Sequence, residues 1–381
     1  MESIKILSIF GTRPEAIKMA PLVKELEKTP GIASRVCVTA QHREMLDQVL
    51  DIFAIQPAYD LDIMQEKQSI GMIVSNSLGA LIQIISGWDP DLVLVHGDTS
   101  TTFTGALASF YCKKAVGHVE AGLRTYNKYA PFPEEMNRVL TSDLATLHFA
   151  PTRSNRLNLQ KENITEDVYV TGNTVIDAMK YTVKTDYEFK DQLLKEINFS
   201  AGKWMLLTAH RRENIGKPLE NICKAAKRLV AEHDDLKLVF PVHLNPLVRE
   251  TVYSILGRME KVNLIEPLDV QDMHNLMQRS DLILTDSGGL QEEAPSLGKP
   301  VLVLRGETER PEAVKAGTVK LVGTDELAVY ETAATLLTDA AAYDRMAKAV
   351  NPYGDGLASE RIVQAIFHYF GRGGRPADFQ P

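Results

Sequence analysis

Residues 286–289, Asp-Ser-Gly-Gly, follow a short apolar run at 282–285 and open what reads as a helix. Adjacent Gly288 and Gly289 let the backbone approach a ligand that a Cβ would hold off. The N–H groups of a first helical turn face such a ligand, with the positive end of the helix dipole behind them, and this is how a chain holds phosphate. Glu292 and Glu293 come next, and Arg310 follows a second apolar run at 301–304. Anion-binding backbone, two carboxylates and an arginine in one βαβ-like unit point to a nucleotide diphosphate. Beside it stands the blander reading, an ordinary strand–turn–helix whose glycines only serve packing.

Other reactive residues fall in a positional pattern. Arg13 and Lys18 come just after the apolar run 4–10, Gln41-His42-Arg43 after 36–40, Asp98 after 92–95 and Glu120 after 115–119. Glu134 and Glu135 follow Pro131-Phe132-Pro133. In the second half, His210-Arg211-Arg212-Glu213 follow 204–208, and His243 follows 236–242. Each has a plain role open to it. Asp98 can cap the next helix, Glu120 can pair with Arg124, Glu134 and Glu135 can complement a helix dipole, and His210 can be a satisfied core histidine. Together they are better explained by a site with three carboxylates, one histidine and several arginines, suited to proton transfer on a substrate attached to a nucleotide diphosphate.

Such residues need strands to carry them. Short Ile/Leu/Val runs of the fully buried parallel kind alternate with amphipathic helices along the chain, and the alternation restarts near residue 204. Twice-repeated βα alternation predicts two doubly wound parallel sheets, with ligands outside the C-terminal strand ends. The domains expected are 1–170 and 171–357, with the C-terminal helix, 358–381, crossing back onto the first. Residues 186–203 read as helical, and the Gly/Arg/Pro tail as frayed.

At 381 residues two cores are the natural expectation. A net charge of -8 argues against nucleic-acid or acidic-membrane partners. Cys37, Cys112 and Cys223 are widely spaced and odd in number, as expected of small core residues in a reducing cytoplasm. Met1-Glu-Ser-Ile-Lys runs straight into a strand, so no signal peptide is expected, and no apolar run is read as approaching the ~20 residues that span a bilayer. There is no P-loop, no G-x-G-x-x-G after the first strand, no G-x-S-x-G, and no zinc-type histidine spacing. Asp60-Leu61-Asp62 has the spacing of a metal-binding D-x-D, but its setting favours a solvated loop.

The blocks GTRPEAIKMAPL (11–22), QHREML (41–46), HGDTSTT (96–102), HVEAGLRT (118–125), PFPEEMNR (131–138), GNTVID (172–177), TAHRREN (208–214), PVHLNP (241–246), DSGGLQEEAPSLGKP (286–300) and RGETERPE (305–312) run through most of the chain. In these the chain resembles the bacterial non-hydrolysing UDP-N-acetylglucosamine 2-epimerases. The resemblance implies an α/β fold of glycosyltransferase-B type, two Rossmann-like doubly wound parallel-sheet domains facing a central cleft, and a homodimer. It implies interconversion of UDP-GlcNAc and UDP-ManNAc without NAD or a required metal, supplying ManNAc for cell-surface polysaccharide.

By the same resemblance, Asp98, Glu120 and Glu134 are acid/base groups and His210 supports charge on the leaving group. Arg13, Lys18, Ser287, Gly288, Gly289 and Arg310 hold UDP, with Glu293 on the ribose. A second, activating UDP-GlcNAc would meet Gln41, His42, Lys67, Gln68, Glu135, Arg211 and His243. Lys67 stands where regulated relatives carry Arg, and Glu44 where Gln is common. Competing readings are a hydrolysing epimerase that releases ManNAc and UDP, a glycosyltransferase on the same fold, and a non-catalytic nucleotide-sugar sensor.

Overall fold

The run IKILSIF forms β1 (Ile4–Phe10), buried along nearly its whole length. Among the described residues every strand pairing is parallel, so buried apolar strands are what covered faces demand. The computed structural model describes residues 2–39, 43–63 and 68–381. It divides into two units, Met1–Tyr181 with Tyr353–Gln380, and Thr182–Pro352.

In the first unit β1 is followed by α1 (Arg13–Lys28), β2 (Ile32–Val38), α2 (Arg43–Ile52), β3 (Tyr59–Asp60), α3 (Ile70–Trp88), β4 (Leu92–His96) and α4 (Ser100–Tyr111). Then come β5 (Ala115–Val119), α5 (Glu134–Leu144), β6 (Leu147–Ala150), α6 (Arg153–Lys161), β7 (Val168–Val170) and α7 (Thr174–Thr182). The seven strands lie in the order β3-β2-β1-β4-β5-β6-β7. The order reverses between β1 and β4, and a crevice opens there at the C-terminal ends. Arg13 follows β1, and Asp98 follows β4.

The second unit holds α8 (Gln192–Glu196), β8 (Lys203–Thr208), α9 (Lys217–Glu232), β9 (Leu236–Pro241), α10 (Pro246–Leu256), β10 (Val262–Ile265) and α11 (Val270–Arg279). It continues with β11 (Leu282–Thr285), α12 (Gly288–Glu293), β12 (Val301–Val303), α13 (Pro311–Ala316), β13 (Val319–Leu321), α14 (Glu326–Thr338) and α15 (Ala340–Ala347). Its sheet order is β10-β9-β8-β11-β12-β13, with the reversal between β8 and β11. His210 lies just past β8, and Asp286 to Gly289 lie just past β11. The last helix, α16 (Ala358–Tyr369), belongs to the first unit, where Ile362, Val363, Ala365 and Ile366 join the core packed around α1.

Four expectations need correction. The first unit extends past residue 170, because Ala178 of α7 packs into its core. Residues 186–203 form one short helix, α8, within an irregular strap. The Asp272 carboxylate accepts from Tyr187 Oη (2.7 Å), Lys190 N (3.0 Å) and Asp191 N (3.0 Å), so tertiary bonds replace the helical ones. The C-terminal tail is docked. Phe379 N donates to Val170 O (2.7 Å), Val170 N to Asp378 Oδ1 (3.0 Å) and Arg375 Nη2 to Val168 O (2.7 Å), satisfying the open edge of β7. Finally α3, 19 residues without a charged side chain, is long and apolar enough by length and composition to cross a membrane, and only 17% of it is buried. Leu81 and Ile85 carry its core face, while Gly71, Met72, Ser75, Asn76, Gly79, Gln83, Ser86 and Gly87 are exposed.

Candidate functional site

At the reversal point of the first unit, Thr12 and Glu15 form a capping box at the start of α1. Glu15 does more than cap. Its buried carboxylate accepts from Gly11 N (3.1 Å) and Thr12 N (2.8 Å) after β1, and from Thr99 Oγ1 (2.7 Å) and Thr102 Oγ1 (3.1 Å) after β4. One side chain therefore sets the two loops of the crevice against each other. Thr99 is the N-cap of α4, so Asp98 does not spend its carboxylate on capping.

Asp98 Oδ2 instead accepts from Arg138 Nη2 at 2.5 Å, and its main-chain oxygen accepts from Asn137 Nδ2 at 2.9 Å. Burial raises the Asp98 pKa above the usual carboxylate range. Arg138 and Lys18 pull it down, while Glu120 and Glu134 push it up. Glu134 opens α5, half-buried. Glu120 sits at φ 63°, in the left-handed region that non-glycine residues adopt at a cost of ~1–3 kcal/mol. That backbone turns its carboxylate toward Lys18 Nζ, Asn173 Nδ2 (3.0 Å) and His96 Nε2 (3.4 Å). The expected partner, Arg124, is elsewhere: its guanidinium is bidentate to Glu162 at 2.8 and 2.7 Å. His96 is fully buried and its pKa is lowered to about 4 by that burial, against the pull of Glu120. It is a neutral imidazole beside a carboxylate.

The second unit inverts this logic. Gly288 is bracketed by guanidinium groups. A Cβ there would lie 3.6 Å from Arg211 Nη2 and 3.6 Å from Arg310 Cζ, and one on Gly289 would lie 3.0 Å from Glu293 Oε1. Substitution at 289 therefore crowds the carboxylate. The two adjacent glutamates face different partners. Buried Glu292 accepts from Arg310 Nε at 2.7 Å. Glu293 Oε2 lies 3.2 Å from His274 Nε2, whose Nδ1 is 2.6 Å from Thr182 Oγ1. With Nε2–H donating to Glu293 and the Thr182 hydroxyl donating to Nδ1, both ring nitrogens are satisfied. His210 lies beside Asp286 and stacks on His243, ring centroids 5.6 Å apart and 8° from parallel.

Of the residues expected around a second nucleotide sugar, Gln41, His42 and Lys67 lie outside the described residues. Gln68 Nε2 donates to Ile63 O (2.7 Å), and Arg211 Nη2 is 3.4 Å from Glu309 Oε1. Glu135 is buried. Its carboxylate accepts from Thr125 N (2.9 Å) and Tyr126 N (2.8 Å) and pairs with Arg138 (3.3 Å).

The sequence alone gave no functional role to Glu15, His96, Arg138, Asn173 or His274; Asp286 and Glu292 stood out in the nucleotide-diphosphate unit but without a role of their own. The T-x-x-E spacing of Thr12 and Glu15 signalled the capping box, and His96 adjoins the Gly-Asp that was singled out. Nothing local pointed to Arg138, Asn173 or His274, whose partners are distant in the chain.

A family model described as UDP-N-acetylglucosamine 2-epimerase matches residues 24–367. The UDP-N-acetylglucosamine 2-epimerase of Bacillus subtilis is 57% identical over 383 residues, covering 100% of this chain and 99% of that protein. A crystal structure of a UDP-N-acetylglucosamine 2-epimerase superposes with a TM-score of 0.93 at 56% identity, covering all of both chains. The Neisseria meningitidis UDP-GlcNAc 2-epimerase bound to UDP-GlcNAc gives 0.85 at 50% identity, covering 96% of this chain and 100% of that one.

Proposed function

Because the chain belongs to the UDP-N-acetylglucosamine 2-epimerase family, we propose that it interconverts UDP-GlcNAc and UDP-ManNAc by the non-hydrolysing route, as a step supplying ManNAc for cell-surface polysaccharide. The C2 proton is weakly acidic, so its removal is coupled to departure of UDP from the neighbouring carbon. A base takes the C2 proton, a C1–C2 double bond forms, and the C1–O bond breaks with its electron pair leaving on the UDP oxygen. UDP then adds back to the 2-acetamidoglucal as a proton arrives on the opposite face. Each step is redox-neutral, so the route draws on no nicotinamide, and this reading assigns it no metal.

Asp98, Glu120 and Glu134 carry the proton chemistry in this reading. Arg13, Lys18, Ser287, Gly288, Gly289 and Arg310 hold UDP, Glu293 takes the ribose hydroxyls, and His210 stabilises charge on the departing diphosphate. The carrying observation is the carboxylate pair Asp98 and Glu120. The Glu120 charge is close enough to push the Asp98 pKa up, and the two are set among Lys18, Arg138, His96 and Asn173. Paired acids in unlike settings are what protonation of two faces requires.

The test is incubation with UDP-GlcNAc in D2O, followed by NMR. Deuterium at C2 of both nucleotide sugars is expected. Free ManNAc as the main product would favour the hydrolysing alternative, and no exchange would end both epimerase readings. Activation by a second UDP-GlcNAc predicts sigmoidal dependence of rate on that substrate. The same reading makes the protein a homodimer, and the little-buried α3, whose outer face is mostly small and polar residues with Ile70 and Met72, together with exposed Phe110 and Tyr111 ending α4, is the surface we assign to the partner copy. Light scattering of Gly79→Arg tests this, with a monomer expected.

A further inference from the structure

Asp286 stands immediately after β11, fully buried. Its Oδ2 accepts three hydrogen bonds, from His210 N (2.8 Å), Arg211 N (2.8 Å) and Asn214 Nδ2 (2.9 Å). Those bonds tie the loop after β8 to the end of β11 and account for a structural role. They do not account for the other oxygen. Among the described residues Oδ1 has no hydrogen-bond donor, and it lies 3.3 Å from His210 Nδ1. A buried carboxylate oxygen without a donor is costly, and the imidazole is the group placed to relieve it. The ring is held in that direction by its stack on His243, whose own Nδ1 accepts from Asn245 N at 3.1 Å.

We propose that Asp286 is the positioning residue for His210: its Oδ1 fixes the proton on Nδ1 and leaves Nε2 as the nitrogen offered to the ligand. The inference rests on the reading above in one respect, that the ligand at Nε2 is the departing diphosphate. A neutral histidine in water prefers its proton on Nε2, so Asp286 reverses the tautomer. It also favours the cation. Burial lowers the His210 pKa, His243 and Arg211 lower it further, and Asp286 alone among these neighbours raises it. A doubly protonated ring held by Asp286 presents Nε2–H to the phosphate oxygen as negative charge develops there.

Asp286→Asn discriminates this role from scaffolding. The amide oxygen can still accept the three donors, while its NH2 group now faces Nδ1 and forces that nitrogen to accept. Long-range 1H–15N correlation on the histidine-labelled, unliganded protein reads the result, with the His210 signal assigned by its loss in His210→Gln. The wild-type neutral ring is expected as Nδ1–H. In Asp286→Asn it is expected as Nε2–H, with the pKa lower by at least about one unit. An Nε2–H ring in the wild type overturns the proposal, whether or not the variant folds.

The kinetic arm uses UDP-GlcNAc. Asp286→Asn is expected to lower kcat about 10-fold or more with little change in KM, and to move the alkaline limb of the pH profile to lower pH. A flipped tautomer with an unchanged pH profile overturns the role in turnover. Failure of the epimerase reading itself is distinguishable, because it appears as absent C2 exchange in the wild type while the tautomer measurement is unaffected.

Discussion

After β4 and β5, the first unit holds half-buried carboxylates and steadies them with cations: Asp98 with Arg138, Glu120 with Lys18. After β8 and β11, the second unit does the reverse. There the cationic or imidazole groups Arg310 and His210, which the proposed reading sets toward the ligand, are backed by the buried carboxylates Glu292 and Asp286. Both sheets reverse their strand order at these points, so topology supplies the same crevice twice. What differs is which charge is spent on support. A carboxylate whose pKa is raised by burial trades protons readily, whereas a guanidinium held by a buried carboxylate stays charged and well placed. In the proposed reading, similar architecture thus serves as a proton-transfer end in one unit and an anion-holding end in the other.

The largest expected effect follows from removing a carboxylate in the first unit. Glu120→Gln should lower turnover at least ~100-fold while calorimetry finds UDP affinity nearly unchanged. Equal losses in both would erase the division of labour. Arg310→Met should show the opposite profile, with UDP binding about 10–100-fold weaker, the loss of charge-assisted bonds. It also takes from buried Glu292 its guanidinium, so the thermal midpoint should drop. Adding Glu292→Met should recover the midpoint and leave UDP binding weak.

A third effect separates the units by acid sensitivity. His96 is held neutral, with its pKa lowered from 6.5 to about 4. Its folded form resists a proton that the unfolded chain accepts. Stability is therefore full above pH 6.5 and is lost as pH falls toward 4, on the order of 2–3 kcal/mol from this one group. In His96→Asn the urea midpoint should vary less between pH 7 and 4.5 than in the wild type; an unchanged slope would remove His96 from the account. The smallest effect concerns Arg138. It holds down an Asp98 pKa that burial raises, so Arg138→Gln should move the Asp98 limb of the pH–rate profile to higher pH by about one unit. No shift would mean that this cation steadies position and not charge.

Most of the fold was legible beforehand because parallel strands buried on both faces are written as uninterrupted apolar runs; β1, β5, β10 and β11 have the bounds their composition suggests. The strap at 186–203 was not legible. Its charged, helix-permissive composition is overruled by Asp272, which lies far along the chain. The tail misled for a similar reason: Gly, Arg and Pro say nothing of the strand edge waiting at β7.

By itself the sequence determined which residues could do chemistry and that they follow strands, since strand periodicity and glycine turns are local properties. It also carried the family, through long blocks such as GTRPEAIKMAPL and DSGGLQEEAPSLGKP. Only the tertiary structure decided the partners. It set Glu120 against Lys18, Asn173 and His96 and not against Arg124, sent Glu292 to Arg310 and Glu293 to His274, and brought Asp286 to His210. The reason is physical. Which charges a carboxylate meets, and how much water it keeps, depend on groups brought close by folding, and from those distances and that burial follow its pKa and its role.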